Sequence, residues 1–228
     1  MGWHGFQALV DNFFNRPILA RYAASIFGGL GVTVEVAVVV VVAGVGTGLV
    51  LALLRCLHKP LIDAMIVAYV DLFRTLPQLV IIIFVYFALP YAGLSLSPFA
   101  ATAFALTLVL GAFSTEIFWS TIQATSAGQW EAGRALGLGE RDLVFNVILP
   151  QAVRTAIPML TNRAIAITKG AALGSAVSLP EILGTALSAT QMSANASPLS
   201  LAAALYLLLF VPLVILSRHL EFRYKWIR

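Results

Sequence analysis

Charge is scarce in this sequence. Only 11% of its 228 residues are Asp, Glu, Lys or Arg, against roughly a quarter in an ordinary soluble domain. Hydrophobic residues make up 60%, and the mean hydropathy is +0.94. So little charge cannot cover a water-facing surface, so the chain reads as embedded in a membrane. Cysteine is almost absent. The single Cys56 excludes an internal disulfide framework and a cysteine-based metal cluster, and suits a small apolar filler. A phosphate-cradling GxxxxGK[ST] run is missing, so no nucleotide site is expected. HExxH is missing too, and His4, His58 and His219 all sit at or beyond the ends of apolar runs. Ser114 and Ser175 have no obvious base. No catalytic residue and no metal ligand is therefore assigned. An intramembrane enzyme or a channel component is the alternative class, but the first lacks its constellation and the second a selectivity filter.

What is present is a series of long apolar runs. A helical span needs about 20 residues, which allows four to six spans here and no second soluble domain. Residues 1–25 do not look like a cleavable signal, because Asp11 and Asn12 interrupt the apolar stretch. Trp3, Phe6, Leu9, Val10, Phe13 and Phe14 recur at helical spacing, which predicts an interfacial amphipathic helix ended by Pro17. Residues 26–228 then form the membrane domain. The spans are expected near 32–54, 64–91, 98–122, 156–183 and 199–217, with residues 184–198 as a neutral loop. In the first span Gly44 and Gly48 permit close helix approach.

Polar residues at depth mark candidate pathway positions. Asp71 and Arg74 are i,i+3 neighbours able to pair on one helix face, and Pro77 should loosen the backbone beyond them. Glu116 falls inside the third helical pattern, where a carboxylate needs a partner or water. The fourth span is the most polar, with Asn162, Arg163 and Lys169, and Gly170 and Gly174 interrupting it. Glycines at such depth suit a bent or partly unwound helix covered by protein or lining a cavity.

Lys/Arg placement fixes the expected orientation. With the interval 124–155 in the cytoplasm, that side also receives Arg55, Lys59, Arg134, Arg141, Arg154, Arg218, Arg223, Lys225 and Arg228. The other side receives Arg16 and Arg21. The expected fold is all-α and polytopic, with about five transmembrane helices, the N-terminus outside and the C-terminus cytoplasmic.

The interval from Gln129 to Val153 is the longest polar stretch. It reads Glu131-Ala132-Gly133, three residues, Gly137, nine residues, Val147, one residue, Leu149-Pro150. A short amphipathic helix is expected from Trp130 to Leu138, followed by another turn from Glu140 that Pro150 ends. The pattern resembles the EAA loop of bacterial ABC-importer permeases, Glu-Ala-Ala-x3-Gly-x9-Ile-x-Leu-Pro. Gly133 replaces Ala and Val147 replaces Ile; the glycine weakens a helix by about 1 kcal/mol. The likeness extends to the polar amino-acid uptake branch through GLGVTVEVAVVVVVAGVGTGLVLALLR, FRTLPQLV, GQWEAGRALGLG, ILPQAVRTAIPMLTN and LPEIL.

That resemblance implies a permease without its own ATP site and with no cofactor. A dimeric ATP-binding cassette partner, which would hold ATP and magnesium, is expected to grip the loop. A second permease chain, a solute-binding protein and the lipid bilayer of a bacterial inner membrane complete the expected surroundings; nucleic acid is not among them. The chain departs from its relatives where they carry Lys-Asp-Thr-Ser-Leu, having Lys169-Gly170-Ala171-Ala172-Leu173. It also has Arg163 for a common Glu and Trp119 for a common Arg. Arg163 and Lys169 are candidates to grip a carboxylate. They are six residues apart, about 9 Å along a helix.

Overall fold

The longest element is one continuous helix. A computed structural model describes residues 2–225, with side chains from 5 to 223; Met1, the side chains of Trp3, His4 and Lys225, and the whole of Arg228 lie outside the described residues. Helix α1 (Gly2–Phe13) precedes α2 (Arg16–Arg55), whose 40 residues extend about 60 Å at 1.5 Å per residue. Asn15 caps α2, its Oδ1 accepting from the Ile18 amide at 3.2 Å. Pro17 therefore opens α2 instead of ending α1. Its missing N–H costs nothing in a first turn, where the amides lack helical partners anyway. The boundary expected at residue 25 falls inside α2.

Helices α3 (Pro60–Thr75) and α4 (Gln78–Ala88) cover the expected second span. The chain bends by 106° at the break between them. Leu76 is extended at φ −75°, ψ 137°, as expected of a residue held out of the α region by the following proline. Pro77 thus does more than loosen the helix. A short 3₁₀ segment (Leu89–Ala92) leads on to α5 (Pro98–Gln123). Then come α6 (Ala127–Ala135), α7 (Glu140–Leu143), α8 (Leu149–Thr168), α9 (Ile182–Ser193) and α10 (Ser197–Lys225). Among the described residues, four helical stretches are long and apolar enough to cross a membrane, or five counting the bent α3–α4 pair as one. The protein is an all-α polytopic membrane protein.

The fourth span departs from α-helical geometry near its glycines, but by tightening and not by unwinding. α8 passes at Lys169 into a 3₁₀ segment (Lys169–Val177) that ends on Ser178 at φ +63°. Neither glycine is there for backbone freedom. A Cβ on Gly170 would lie 2.1 Å from Gln78 Oε1, and one on Gly174 2.6 Å from Leu179 Cδ2, so both permit close approach. Residues 184–198, expected as a loop, are mostly helical: α9 occupies them through Ser193. Its small, neutral residues give little periodic signal, but Glu181 caps it from before the first turn, accepting from Leu183 and Gly184 amides at 3.0 and 2.7 Å.

The chain forms two compact units. The first comprises Met1–Val40, Pro77–Leu106 and Thr168–Leu213; the second Val41–Leu76, Thr107–Ile167 and Val214–Arg228. The core of the first gathers Ile26, Ile182, Ala186, Ala202 and Leu205, with Tyr22 and Tyr206 at its edge. There the end of α1 is tied to the α9–α10 turn: Asn195 Nδ2 donates to the Asp11 carbonyl at 2.9 Å, and the Asn15 amide to Ser197 Oγ at 2.8 Å. In the second unit α2 meets α5 so closely that a Cβ on Gly48 would sit 2.2 Å from Ser114 Cβ, and one on Gly44 2.8 Å from Leu110 Cβ. This is the approach that the small-residue spacing predicts.

Candidate functional site

The polar interval folds as a helical hairpin fastened to the second unit. In α6 Trp130 packs inward, against the core of Ala52, Phe118, Ile122, Leu143, Ile148, Ala152, Ala156 and Leu160. Arg134, one turn on, lies over the Trp130 ring at 5.7 Å. The helix ends in a Schellman closure: the Leu138 amide reaches the Gly133 carbonyl at 3.1 Å, and the Gly137 amide the Arg134 carbonyl at 3.0 Å. Gly137 supplies the left-handed residue that the closure needs, at φ +78°. Arg134 Nε then donates to Glu140 Oε1 at 2.8 Å, bridging the break. That hydrogen bond holds the Glu140 carboxyl below its ordinary range and raises the Arg134 guanidinium, while His58 adds a smaller lowering effect on Glu140.

Gly133 is one of the two departures from the pattern this loop resembles, and the structure gives it a purpose. A Cβ there would lie 2.3 Å from Leu143 Cδ1. Glycine lets α6 close onto α7, and Leu143 is fully buried beneath it. Burying such a side chain stabilises the hairpin by about 1.5–3 kcal/mol.

Pro150 does not end the second arm, contrary to expectation. Residues Val144–Ile148 widen into a π-helical turn, with the Leu149 amide bonded to the Val144 carbonyl, and α8 continues through the proline. Pro150 has no N–H to give the carbonyl of Asn146, and its ring would crowd that group. A local π turn absorbs the conflict within one helix. Gln151 Nε2 ties the arms together, donating to Gln129 Oε1 at 3.2 Å and the Val147 carbonyl at 2.9 Å.

The motif residues thus divide by face. Gly133 is buried, and Val147 and Leu149 half-buried. Glu131, Ala132, Gly137 and Pro150 are exposed. Beside them Leu136, an apolar side chain in a polar loop, is 81% exposed. The hairpin is packed from inside and presents a mixed apolar and charged face outside.

Of the candidate pathway residues, Arg74 and Arg163 share one ring, and Glu116 pairs with Arg74. Arg74 Nη1 lies 3.7 Å from Glu116 Oε2, with side chains 38% and 42% exposed. The Arg74 guanidinium is 5.3 Å from the Phe113 centroid and that of Arg163 is 4.1 Å from it. Arg74 therefore pairs across to α5 and not with Asp71, which is exposed on α3 and accepts at its backbone carbonyl from Thr75 Oγ1. Asn162 turns to α10: Ser217 Oγ donates to its Oδ1 at 2.8 Å, and its Nδ2 donates to Glu221. Lys169 belongs to the first unit, with Nζ 5.6 Å from the Phe210 ring.

Two groups escaped sequence reasoning. Glu181 is fully buried, caps α9 and accepts from Tyr206 Oη at 2.5 Å; a carboxylate inside an apolar run was the available signal. Arg55, counted only for orientation, donates from Nε to Asp63 Oδ1 at 2.6 Å. Its guanidinium also lies 4.4 Å from the Trp119 ring. No sequence spacing links those three.

Comparison with known proteins places this architecture. Residues 44–226 match the family described as binding-protein-dependent transport system inner membrane component. The probable glutamine ABC transporter permease protein GlnP of Bacillus subtilis (strain 168) is 34% identical over 206 residues, covering 89% of this chain and 94% of that protein. The arginine ABC transporter permease protein ArtQ of Escherichia coli (strain K12) is 29% identical over 167 residues, covering 62% and 70%. Among solved structures, a crystal structure of an amino acid ABC transporter with histidines superposes with a TM-score of 0.82 at 28% identity, covering 90% of this chain and 96% of that one. An inward-facing methionine transporter, MetNI, shares the fold, with a TM-score of 0.63 at 22% identity and coverage of 94% and 97%. The chain belongs to the binding-protein-dependent transport system inner membrane component family and is a multi-pass ABC importer permease.

Proposed function

We propose that this permease imports polar amino acids, or derivatives of them, across a bacterial cytoplasmic membrane at the expense of ATP bound with magnesium on a partner ATPase dimer. A solute-binding protein delivers the cargo, and a second permease chain, identical or related, completes the pathway. The N-terminus lies outside and the C-terminus in the cytoplasm, as the Lys/Arg distribution favours. The observation that supports the reading most is the hairpin at 127–150. A loop packed on its inner side by Trp130 and Leu143, yet exposing Leu136 at 81%, is built to be gripped and to pass the displacement on. Relatives named for glutamine and arginine transport favour an amino-acid cargo.

Two experiments test this. Leu136→Glu should lower co-purification of the ATPase by about tenfold, the factor for losing roughly half the burial energy of a leucine; undiminished co-purification rejects the docking role. For the cargo path, Arg163 and Lys169 are each a candidate cation for a substrate carboxylate. The α-helical register holds from Arg163 to Thr168 and tightens at Lys169. Lys169→Ala is expected to reduce uptake several-fold while the complex still assembles, and unchanged uptake removes Lys169 from the path. The same comparison with Arg163→Ala decides Arg163.

A further inference from the structure

Arg55 closes α2, and its side chain is only 11% exposed. Its two contacts point different ways. Nε donates to Asp63 in the first turn of α3 at 2.6 Å, and the guanidinium carbon Cζ lies over the Trp119 ring on α5, 4.4 Å from its centroid. Trp119 in turn packs on the core that holds Leu143, Ile148 and Ala152, the buried side of the hairpin. Cys56, the next residue, packs on that core as well. Two turns of chemistry therefore join the α2–α3 corner to the residues that seat the loop.

We infer that Arg55 is a positioning residue for energy coupling: by stacking on Trp119 it ties the α2–α3 corner to the seat of the hairpin, so that displacement of the loop moves both together. The inference rests on the proposed coupling role of the hairpin. Charge alone does not account for the geometry. A lysine could keep the ion pair to Asp63 but has no planar group to lay on an indole, so Arg and Lys are not equivalent here. The stack is largely removed from water, which is where such contacts are strongest.

The test uses the full importer, with permease, ATPase and solute-binding protein, in proteoliposomes. The readout is solute taken up per ATP hydrolysed, alongside co-purification of the subunits and melting of the complex. Arg55→Lys is expected to lower that ratio about fivefold, which corresponds to about 1 kcal/mol, with normal co-purification. Trp119→Leu should lower it to the same degree, and the double variant should be no worse than either single one. Trp119→Phe, which keeps a ring, should recover most of the loss. A ratio unchanged in Arg55→Lys, or single losses that multiply in the double variant, would overturn the inference. So would a fall in melting temperature with the ratio preserved, since that describes a merely structural residue. If the unmodified complex fails to transport at all, the proposed function has failed and not this assignment.

Discussion

Gly48→Ala adds one methyl group at the glycine of the second unit whose surroundings leave the least room for it. The new Cβ would lie 2.2 Å from Ser114 Cβ and 2.8 Å from both the Ser114 carbonyl carbon and the Thr115 nitrogen. Carbon atoms prefer about 3.5–4.0 Å, so α2 and α5 must separate by more than about 1 Å. Two of the obstructing atoms are backbone, and no rotamer change relieves them. Overpacking of this kind costs about 1–3 kcal/mol. For a chain of this length, 2 kcal/mol lowers the melting temperature by about 4–8 °C. Gly46 provides the control, because a Cβ there meets nothing within 4 Å. Gly46→Ala should hold or slightly raise the melting temperature, since alanine is the better helix former by about 1 kcal/mol. Thermal melting of both purified variants in one detergent is the assay. Equal melting temperatures would refute the contact between α2 and α5.

Two further outcomes are expected. Glu181→Ala removes the cap of α9 and the acceptor of the Tyr206 hydroxyl, and should destabilise by about 2–4 kcal/mol; a wild-type melting temperature contradicts it. Glu140 has a lowered carboxyl pKa in the folded loop, so its stabilisation is present above the unfolded value and disappears as pH falls through the lowered one. Amide exchange at Leu138 and Leu143, corrected for intrinsic rates, should therefore accelerate on acidification in the wild type. In Glu140→Gln that pH dependence should be absent, and a matching acceleration there would reject the Arg134–Glu140 bridge.

Spans and the position of the polar loop were legible in the sequence because both follow from strong local signals. Long apolar runs admit few alternatives, and Gly44-x3-Gly48 announced a close helix approach, whose partner in the structure is α5. Gly137, a fixed position of the loop's spacing, closes the first arm at φ +78°. Misreadings arose where a local rule met a longer-range constraint. Pro150 looked like a terminator, yet the π turn at Val144–Ile148 lets the helix pass through it. Pro17 looked like an ending and is a beginning, because Asn15 caps the helix that contains it. The stretch 184–198 looked unstructured because its residues are small and neutral, while the buried Glu181 that starts the helix lies before it. Arg74 has an acidic neighbour on its own helix, but Glu116 and Phe113 on α5 take its guanidinium. Such cross-helix partners leave no periodic trace.

The most direct test is uptake of labelled polar amino acids, acidic and neutral, into proteoliposomes holding this permease. The account predicts accumulation only with ATP inside and with both the ATPase and the loaded solute-binding protein present, and its collapse in Leu136→Glu. Uptake that needs neither ATP nor the ATPase, or that survives Leu136→Glu undiminished, would contradict it.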